Sequence, residues 1–240
     1  MNLHALILMK GLLFIMGKLN SRGFYVVNDV LTEQEVETYR QLSDDYMRST
    51  YFPCDGGRVV PGWAGITPKL GILNNLHKDI RMKDIVSTAL GESWVFAEHS
   101  DLHQNKLTGW HRDTLPSRLS HFQILNVWDY GYNIIKVCFL LQDHRDNDHG
   151  LWFKPGTHKQ HVEHQAASCD EVCIHSKATD AIVFDQRILH RGQLDQYSEK
   201  YGQHRYLITL GYGLNNEYTK QHAAGTVFRQ NQQRDQMVRA

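Results

Sequence analysis

From Ser93 onward the chain breaks into short runs of strand-forming residues: Trp94 to Ala97, Ile134 to Gln142, Leu151 to Lys154, Val172 to His175, Ala181 to Asp185 and Tyr206 to Tyr212. Each is rich in β-branched or aromatic side chains and shorter than a typical helix, which is how the strands of a packed sheet read. The residues before Ser93 read differently. Thr32 and Glu35 are spaced as a capping box, and Val36, Tyr39, Leu42, Tyr46 and Met47 follow at helical spacing. A second helix is expected over Lys78 to Leu90, with Ile80, Ile85, Val86 and Leu90 facing inward and Gly91 as its stop. Between the two, Pro53 to Leu73 is rich in Gly and Pro and reads as loop with short strands. Helices first and strands after is an α+β order. At 240 residues, without an internal repeat or an obvious linker, the chain is expected to form one domain over residues 23–228. Residues 1–22 are read as an apolar N-terminal extension. Residues 229–240, rich in Gln and Arg with little to bury, are expected to fray.

Two clusters within the strand-rich part carry candidate chemistry. One is Gly109-Trp110-His111-Arg112-Asp113; the other is Ala181 to Gly192, which contains His190. In an extended segment alternate side chains share a face, so His111 and Asp113 can reach one point in space. A distant His closing the set gives two imidazoles and one carboxylate, the facial triad that leaves coordination positions open on a non-haem Fe(II). A His-x-Asp pair alone is a weak signal, and hydrogen bonding within a loop would account for it equally well. His-Arg-Asp also opens the catalytic loop of protein kinases. That pattern needs an Asn five residues after the Asp, where Arg118 stands, and a Gly-rich phosphate loop and an Asp-Phe-Gly are missing as well.

The segments around the clusters add a resemblance. Gly23-Phe24-Tyr25-Val26-Val27 opens the matching region, Lys136 to Asp143 forms a strand-like run, and Pro155-Gly156-Thr157-His158-Lys159 follows a polar turn. Phe184-Asp185 and then Leu189-His190-Arg191-Gly192 come next, and Arg205 to Gly213 reads as a last strand. In this order the chain resembles the phytanoyl-CoA dioxygenase family of Fe(II)/2-oxoglutarate-dependent oxygenases, from about Gly23 to about Gly213. The resemblance implies a double-stranded β-helix, a jelly-roll barrel buttressed by N-terminal helices. It implies His111, Asp113 and His190 as iron ligands, and 2-oxoglutarate and O2 as co-substrates. It also implies hydroxylation of a small-molecule substrate with release of succinate and CO2. Relatives that halogenate carry a small residue in place of the carboxylate, so Asp113 favours hydroxylation.

The family grips the far carboxylate of 2-oxoglutarate with an Arg on the last strand, and Arg205 is the candidate here. The planar fork of Arg suits bidentate carboxylate binding. Arg191 is the rival, but it follows His190 directly and would point away from it in an extended segment. Many family members have Gln between the His and Asp, where this chain has Arg112. Two other classes stay open on the residues alone: a metal-binding jelly-roll protein without turnover, and a metal-dependent hydrolase or isomerase on a similar barrel.

Composition narrows the partners. Lys+Arg and Asp+Glu both number 26, so the basic excess of a nucleic-acid footprint is absent. The four Cys lack the density of a secreted scaffold, which points to reduced thiols and a cytoplasmic protein. His161, His164, Cys169, Cys173 and His175 cluster in sequence, but their spacing matches no standard zinc motif and reads as a polar insertion. The apolar pieces Ala5 to Met9 and Gly11 to Met16, split by Lys10, fall short of the roughly 18 residues of a spanning helix. Peripheral membrane contact of this segment is the alternative to packing on the domain. Thr114 to Asn133, with Phe122, Trp128, Tyr130 and Tyr132, reads equally as core packing or as a flap over the metal.

Overall fold

The computed structural model describes residues 19–114, 126–159 and 170–239. Most of the apolar N-terminal extension lies outside this set, as do the centre of the suggested flap and His161, His164 and Cys169.

Eight strands form one antiparallel sheet: β1 (Phe24–Val27), β2 (Thr50–Cys54), β3 (Gly57–Pro61), β4 (Trp94–Gln104), β5 (Ile134–Leu140), β8 (Ala181–Asp185), β10 (Tyr206–Leu214) and β11 (Val238–Arg239). Their spatial order is β1-β8-β5-β10-β4-β3-β2-β11, and the sheet is open rather than closed on itself. A smaller antiparallel sheet, β7-β6-β9, is built from β6 (Trp152–Phe153), β7 (Val172–Cys173) and β9 (His190–Arg191). Helix α1 (Glu33–Met47) and helix α2 (Ile80–Leu90) flank a 3₁₀ segment, Pro68–Lys78. Helix α3 (Tyr197–Tyr201) lies between β9 and β10, and helix α4 (Glu217–Asp235) follows β10.

Both faces of the central strands are covered, which is why those strands read as unbroken apolar runs. Ile135, Val137 and Phe139 of β5, Val183 of β8 and Ile208 of β10 pack on one face against Val36, Met47 and Met82 of the helices. Cys138 and Leu140 of β5 and Ile182 and Phe184 of β8 pack on the other, against Leu151 and Phe153. The side chains thus sort by odd and even position along each strand, as the period-two pleat demands. Between the helices, Arg81 ties α2 to α1 by pairing with Glu35 and Asp79, each at 2.7 Å.

The capping box forms as expected, with Thr32 accepting from the Glu35 N–H. The second helix differs at its start. Asp79 caps it, accepting from the Arg81 N–H, so Lys78 belongs to the preceding 3₁₀ segment and Ile80 is the first helical residue. Ile80 is consequently 65 % exposed, and Met82 takes the inward place assigned to it. The tail needs the larger correction. Residues 229–235 are the last turns of α4, and β11 pairs Val238 with Tyr51 of β2. The expectation of fraying failed because it weighed only apolar burial, whereas the buried stripe of α4 is made of Thr219, His222, Gly225, Thr226 and Gln230.

Candidate metal centre and its cavity

His111 and His190 meet through an isolated bridge between the loop after β4 and strand β9. Each donates its backbone N–H to the other's carbonyl, at 2.9 and 3.0 Å. The Asp113 N–H then bonds the Gln186 carbonyl at 3.2 Å, which brings the carboxylate to the same place. The Nε2 of His190 lies 3.3 Å from one Asp113 oxygen, and the Nε2 of His111 lies 3.7 Å from the other. One ligand atom from each residue falls within 4.8 Å of the others.

The tautomers suit a metal. Nδ1 of His111 faces the Gly109 carbonyl at 2.8 Å, and Nδ1 of His190 faces the Ile188 carbonyl at 3.0 Å. A carbonyl only accepts, so each Nδ1 carries a proton, and it is Nε2 of each ring that is left to present a lone pair to a metal. Such a lock on the remote nitrogen is what orients a metal-binding imidazole. Burial, with the neighbouring His190 ring, pushes His111 down to about 3, so it is neutral near pH 7. Burial alone would raise the Asp113 carboxyl. The ammonium of Lys136 at 2.7 Å outweighs that and holds it well below the usual range.

The segments around the triad have local work to do. Thr157 of the Pro-Gly-Thr-His-Lys stretch accepts from the Leu189 N–H at 2.9 Å, fixing the strand that carries His190. Arg112 turns away from its neighbours' cluster. Its guanidinium donates to the carbonyls of Arg187 (2.8 Å) and Thr157 (3.2 Å), stapling the three segments together. Gly192 passes so close to Thr108 that an added Cβ would lie 2.5 Å from its hydroxyl.

The triad opens into a cavity of about 730 Å³ that also contains Arg205 in its lining. Arg205, Leu207 and Thr209 alternate along the chain and all line it, as strand alternation requires. Arg205 is 2 % exposed. Its Nε donates to the His149 carbonyl at 2.9 Å, while one terminal nitrogen is buried with no hydrogen-bond partner. Among the described residues no carboxylate pairs with it, and burial pulls its pKa down to about 10. Arg191, the rival, does not line the cavity. It stacks over the Trp152 ring at 4.3 Å.

Several cavity-lining residues escaped the sequence reading. Lys136 sits in an apolar strand and gave no signal beyond its charge. His99, Asp101 and His103 recur at period two along β4, and His222, Thr226, Arg229 and Gln233 recur at helical spacing along α4. Those two periodicities were the available signal. In the suggested flap, Tyr132 is buried beside Ala97 and Ile134, while Tyr130 is fully exposed; residues 115–125 lie outside the described set. Of the His/Cys cluster, Cys173 and His175 come together with Asp148 at the surface.

No family model matches the chain, and no curated protein matches it. Solved structures do. SnoN, a non-haem α-ketoglutarate-dependent epimerase from nogalamycin biosynthesis, aligns at 15 % identity and a TM-score of 0.65, over 85 % of this chain and 81 % of its own. HygX from Streptomyces hygroscopicus, with nickel, 2-oxoglutarate and hygromycin B bound, aligns at 17 % and 0.63, over 86 % and 87 %. EctD from S. alaskensis, with 2-oxoglutarate and 5-hydroxyectoine, aligns at 15 % and 0.62, over 83 % and 74 %. At such identities the likeness establishes architecture: this chain has a jelly-roll fold of the kind found in non-haem iron and 2-oxoglutarate enzymes.

Proposed function

We propose that the protein is an Fe(II)/2-oxoglutarate-dependent oxygenase that hydroxylates a small molecule, and that it belongs with the phytanoyl-CoA dioxygenase family. One observation carries the reading: His111, Asp113 and His190 converge with both Nε2 atoms turned toward the carboxylate, in the same cavity as a buried Arg that has no carboxylate partner among the described residues. The donor set of two neutral nitrogens and one carboxylate fits Fe(II) and leaves open positions. Iron bound there would supply the oxidative decarboxylation of 2-oxoglutarate by O2.

The chain's own residues divide the remaining work. His111, Asp113 and His190 fix the metal, and the two Nδ1 locks hold the rings at the correct angle. Lys136 balances the charge of Asp113 at 2.7 Å and keeps it ionised. Arg205 takes the far carboxylate of 2-oxoglutarate; its buried terminal nitrogen without a hydrogen-bond partner supports that role. Cys138, Leu151, Phe184 and Leu207 line the cavity and exclude water from the co-substrate. A hydrolase or a metal-binding protein without turnover has no use for that desolvated guanidinium, which favours the oxygenase over both. A cytoplasmic setting suits the free thiols of Cys54, Cys138 and Cys173. No helix among the described residues is long and apolar enough to cross a membrane.

The test is a metabolite screen on Fe(II)-loaded protein for substrate-stimulated succinate formation. Gain of one oxygen atom by the responding compound, labelled from ¹⁸O₂, is the expected result. SnoN is an epimerase and the similar SnoK a carbocyclase, so stimulated succinate without oxygen gain would replace hydroxylation by one of those outcomes. Absence of any 2-oxoglutarate-dependent succinate would overturn the reading.

A further inference from the structure

The cavity has a second, chemically different wall. Strand β4 contributes His99, Asp101 and His103, and helix α4 contributes His222, Thr226, Arg229 and Gln233. His99, His103 and His222 are all buried residues. His99 and His222 stack with ring centres 6.1 Å apart. Room for His99 comes from Gly211, where a Cβ would lie only 2.7 Å from that of His99.

The charges on this wall are already matched. Asp101 accepts from Arg229 at 2.8 Å, from Gln230 at 3.3 Å and from the Gly62 N–H at 3.4 Å. Arg229 also donates to Gln233 at 2.6 Å. The Nε2 of His99 lies 3.4 Å from Asp101 and so carries the proton, which leaves its Nδ1 as an acceptor. That atom is buried without a partner, and so are Nδ1 of His103 and Nε2 of His222. Burial, with the charge of Lys136 nearby, pushes His99 down to about 4. Burial, with His99 beside it, pushes His222 down to about 3, and burial carries His103 well below its ordinary value. All three rings are therefore neutral near pH 7: His99, whose N–H is spent on Asp101, offers the Nδ1 lone pair, and His103 and His222 each offer one open nitrogen that donates or accepts according to its tautomer.

We infer that the wall formed by β4 and α4 recognises a neutral, polyhydroxylated small molecule, a sugar or cyclitol, and presents it to the metal triad. The substrate class rests on the oxygenase reading; the binding surface does not. A hydroxyl both donates and accepts, so adjacent ring hydroxyls match the His99 lone pair and the open nitrogens of His103 and His222 in either tautomer. An apolar substrate would leave the three buried nitrogens unpaired. A carboxylate or phosphate would seek a cation, and Arg229 is held by Asp101 and Gln233. An ammonium would seek the Asp101 carboxylate, whose oxygens already take several bonds.

The experiment is ligand-observed NMR on the full chain, with and without Ni(II) and 2-oxoglutarate. The panel is methyl glycosides, disaccharides and myo-inositol, against decanoate and 2-naphthol. Polyols are expected to bind and the two controls not to. His99→Leu and His222→Leu should weaken polyol binding about tenfold, each losing one hydrogen bond to a buried partner. His222→Gln keeps a donor and an acceptor, so it should retain more affinity than His222→Leu; this pair still decides if His99→Leu fails to fold. Binding of decanoate or naphthol in preference to every polyol would overturn the inference. So would polyol binding indifferent to all three substitutions, or a second equivalent of Ni(II) bound by wild type and lost in His99→Leu. Polyol binding in a protein that fails to take up Fe(II) and 2-oxoglutarate would sink the oxygenase reading and leave the recognition surface standing.

Discussion

One cavity holds two sets of histidines, and they differ in what their rings are tied to. His111 and His190 each spend Nδ1 on a backbone carbonyl two residues earlier, so both Nε2 atoms point at Asp113. His99 is tied instead through Nε2 to Asp101, and His103 and His222 each keep a buried nitrogen without a partner. The carboxylates differ in parallel. Asp113 pairs with Lys136 and faces two lone pairs, whereas Asp101 is taken up by Arg229, Gln230 and a backbone N–H. Residue type therefore does not distinguish a metal ligand from a hydrogen-bonding wall. The lock on the remote nitrogen and the free valence of the carboxylate do.

The sharpest break of this comparison is at the triad itself. His111→Ala and His190→Ala should each lower Ni(II) affinity by about a hundredfold or more in calorimetric titration, while cooperative unfolding survives because the apolar faces of the sheet dominate stability. His103→Ala should bind Ni(II) as wild type does. Equal losses in His103→Ala and His190→Ala would erase the distinction between the two sets.

An effect of similar size is expected for Lys136→Met. It leaves the buried Asp113 carboxylate without its counter-charge, which typically costs about 3–5 kcal/mol. The thermal midpoint of the metal-free protein should fall, and Ni(II) should restore more of it than it adds to wild type. An unchanged midpoint would mean that Lys136 and Asp113 are not coupled.

Arg205→Lys should weaken 2-oxoglutarate binding to the Ni(II)-loaded protein about tenfold to a hundredfold, since an ammonium cannot reproduce the fork. Arg191→Ala, which removes a cation stacked on Trp152 outside the cavity, should not weaken it. The reverse pattern would move the anchor to Arg191.

The smallest effect lies outside the cavity. Hydrogen bonds from Arg81 hold the Glu35 carboxyl down at about 2, below its unfolded value of roughly 4.3. A depressed carboxyl contributes stability that is complete above the unfolded value and is lost as pH falls toward the folded one. Thermal midpoints measured between about pH 5 and pH 2 should therefore fall less steeply for Glu35→Gln than for wild type. Parallel slopes would show that the pair carries no pH-linked stability.

How much the sequence disclosed follows from which faces are apolar. Strands β5, β8 and β10 were legible because both their faces are buried, leaving unbroken β-branched and aromatic runs. The pairing of His111 with Asp113 followed from alternation along an extended chain, whereas Arg205 came in only with the family resemblance. Strand β4 was read only as far as Ala97, although it runs to Gln104, because His99, Asp101 and His103 interrupt the apolar pattern where they turn into the cavity. Helix α4 was missed for the same reason: its buried stripe is polar, and hydrophobic periodicity is blind to it. The features hidden from the sequence are thus those that build the second wall.

The central claim is tested most directly by absorption spectroscopy under anaerobic conditions. Adding 2-oxoglutarate to the Fe(II)-loaded wild-type protein should produce a weak visible metal-to-ligand band, absent in His111→Ala and His190→Ala and retained in Arg191→Ala. No band in the wild type, or a band that persists when either triad histidine is removed, would contradict the assignment of this site.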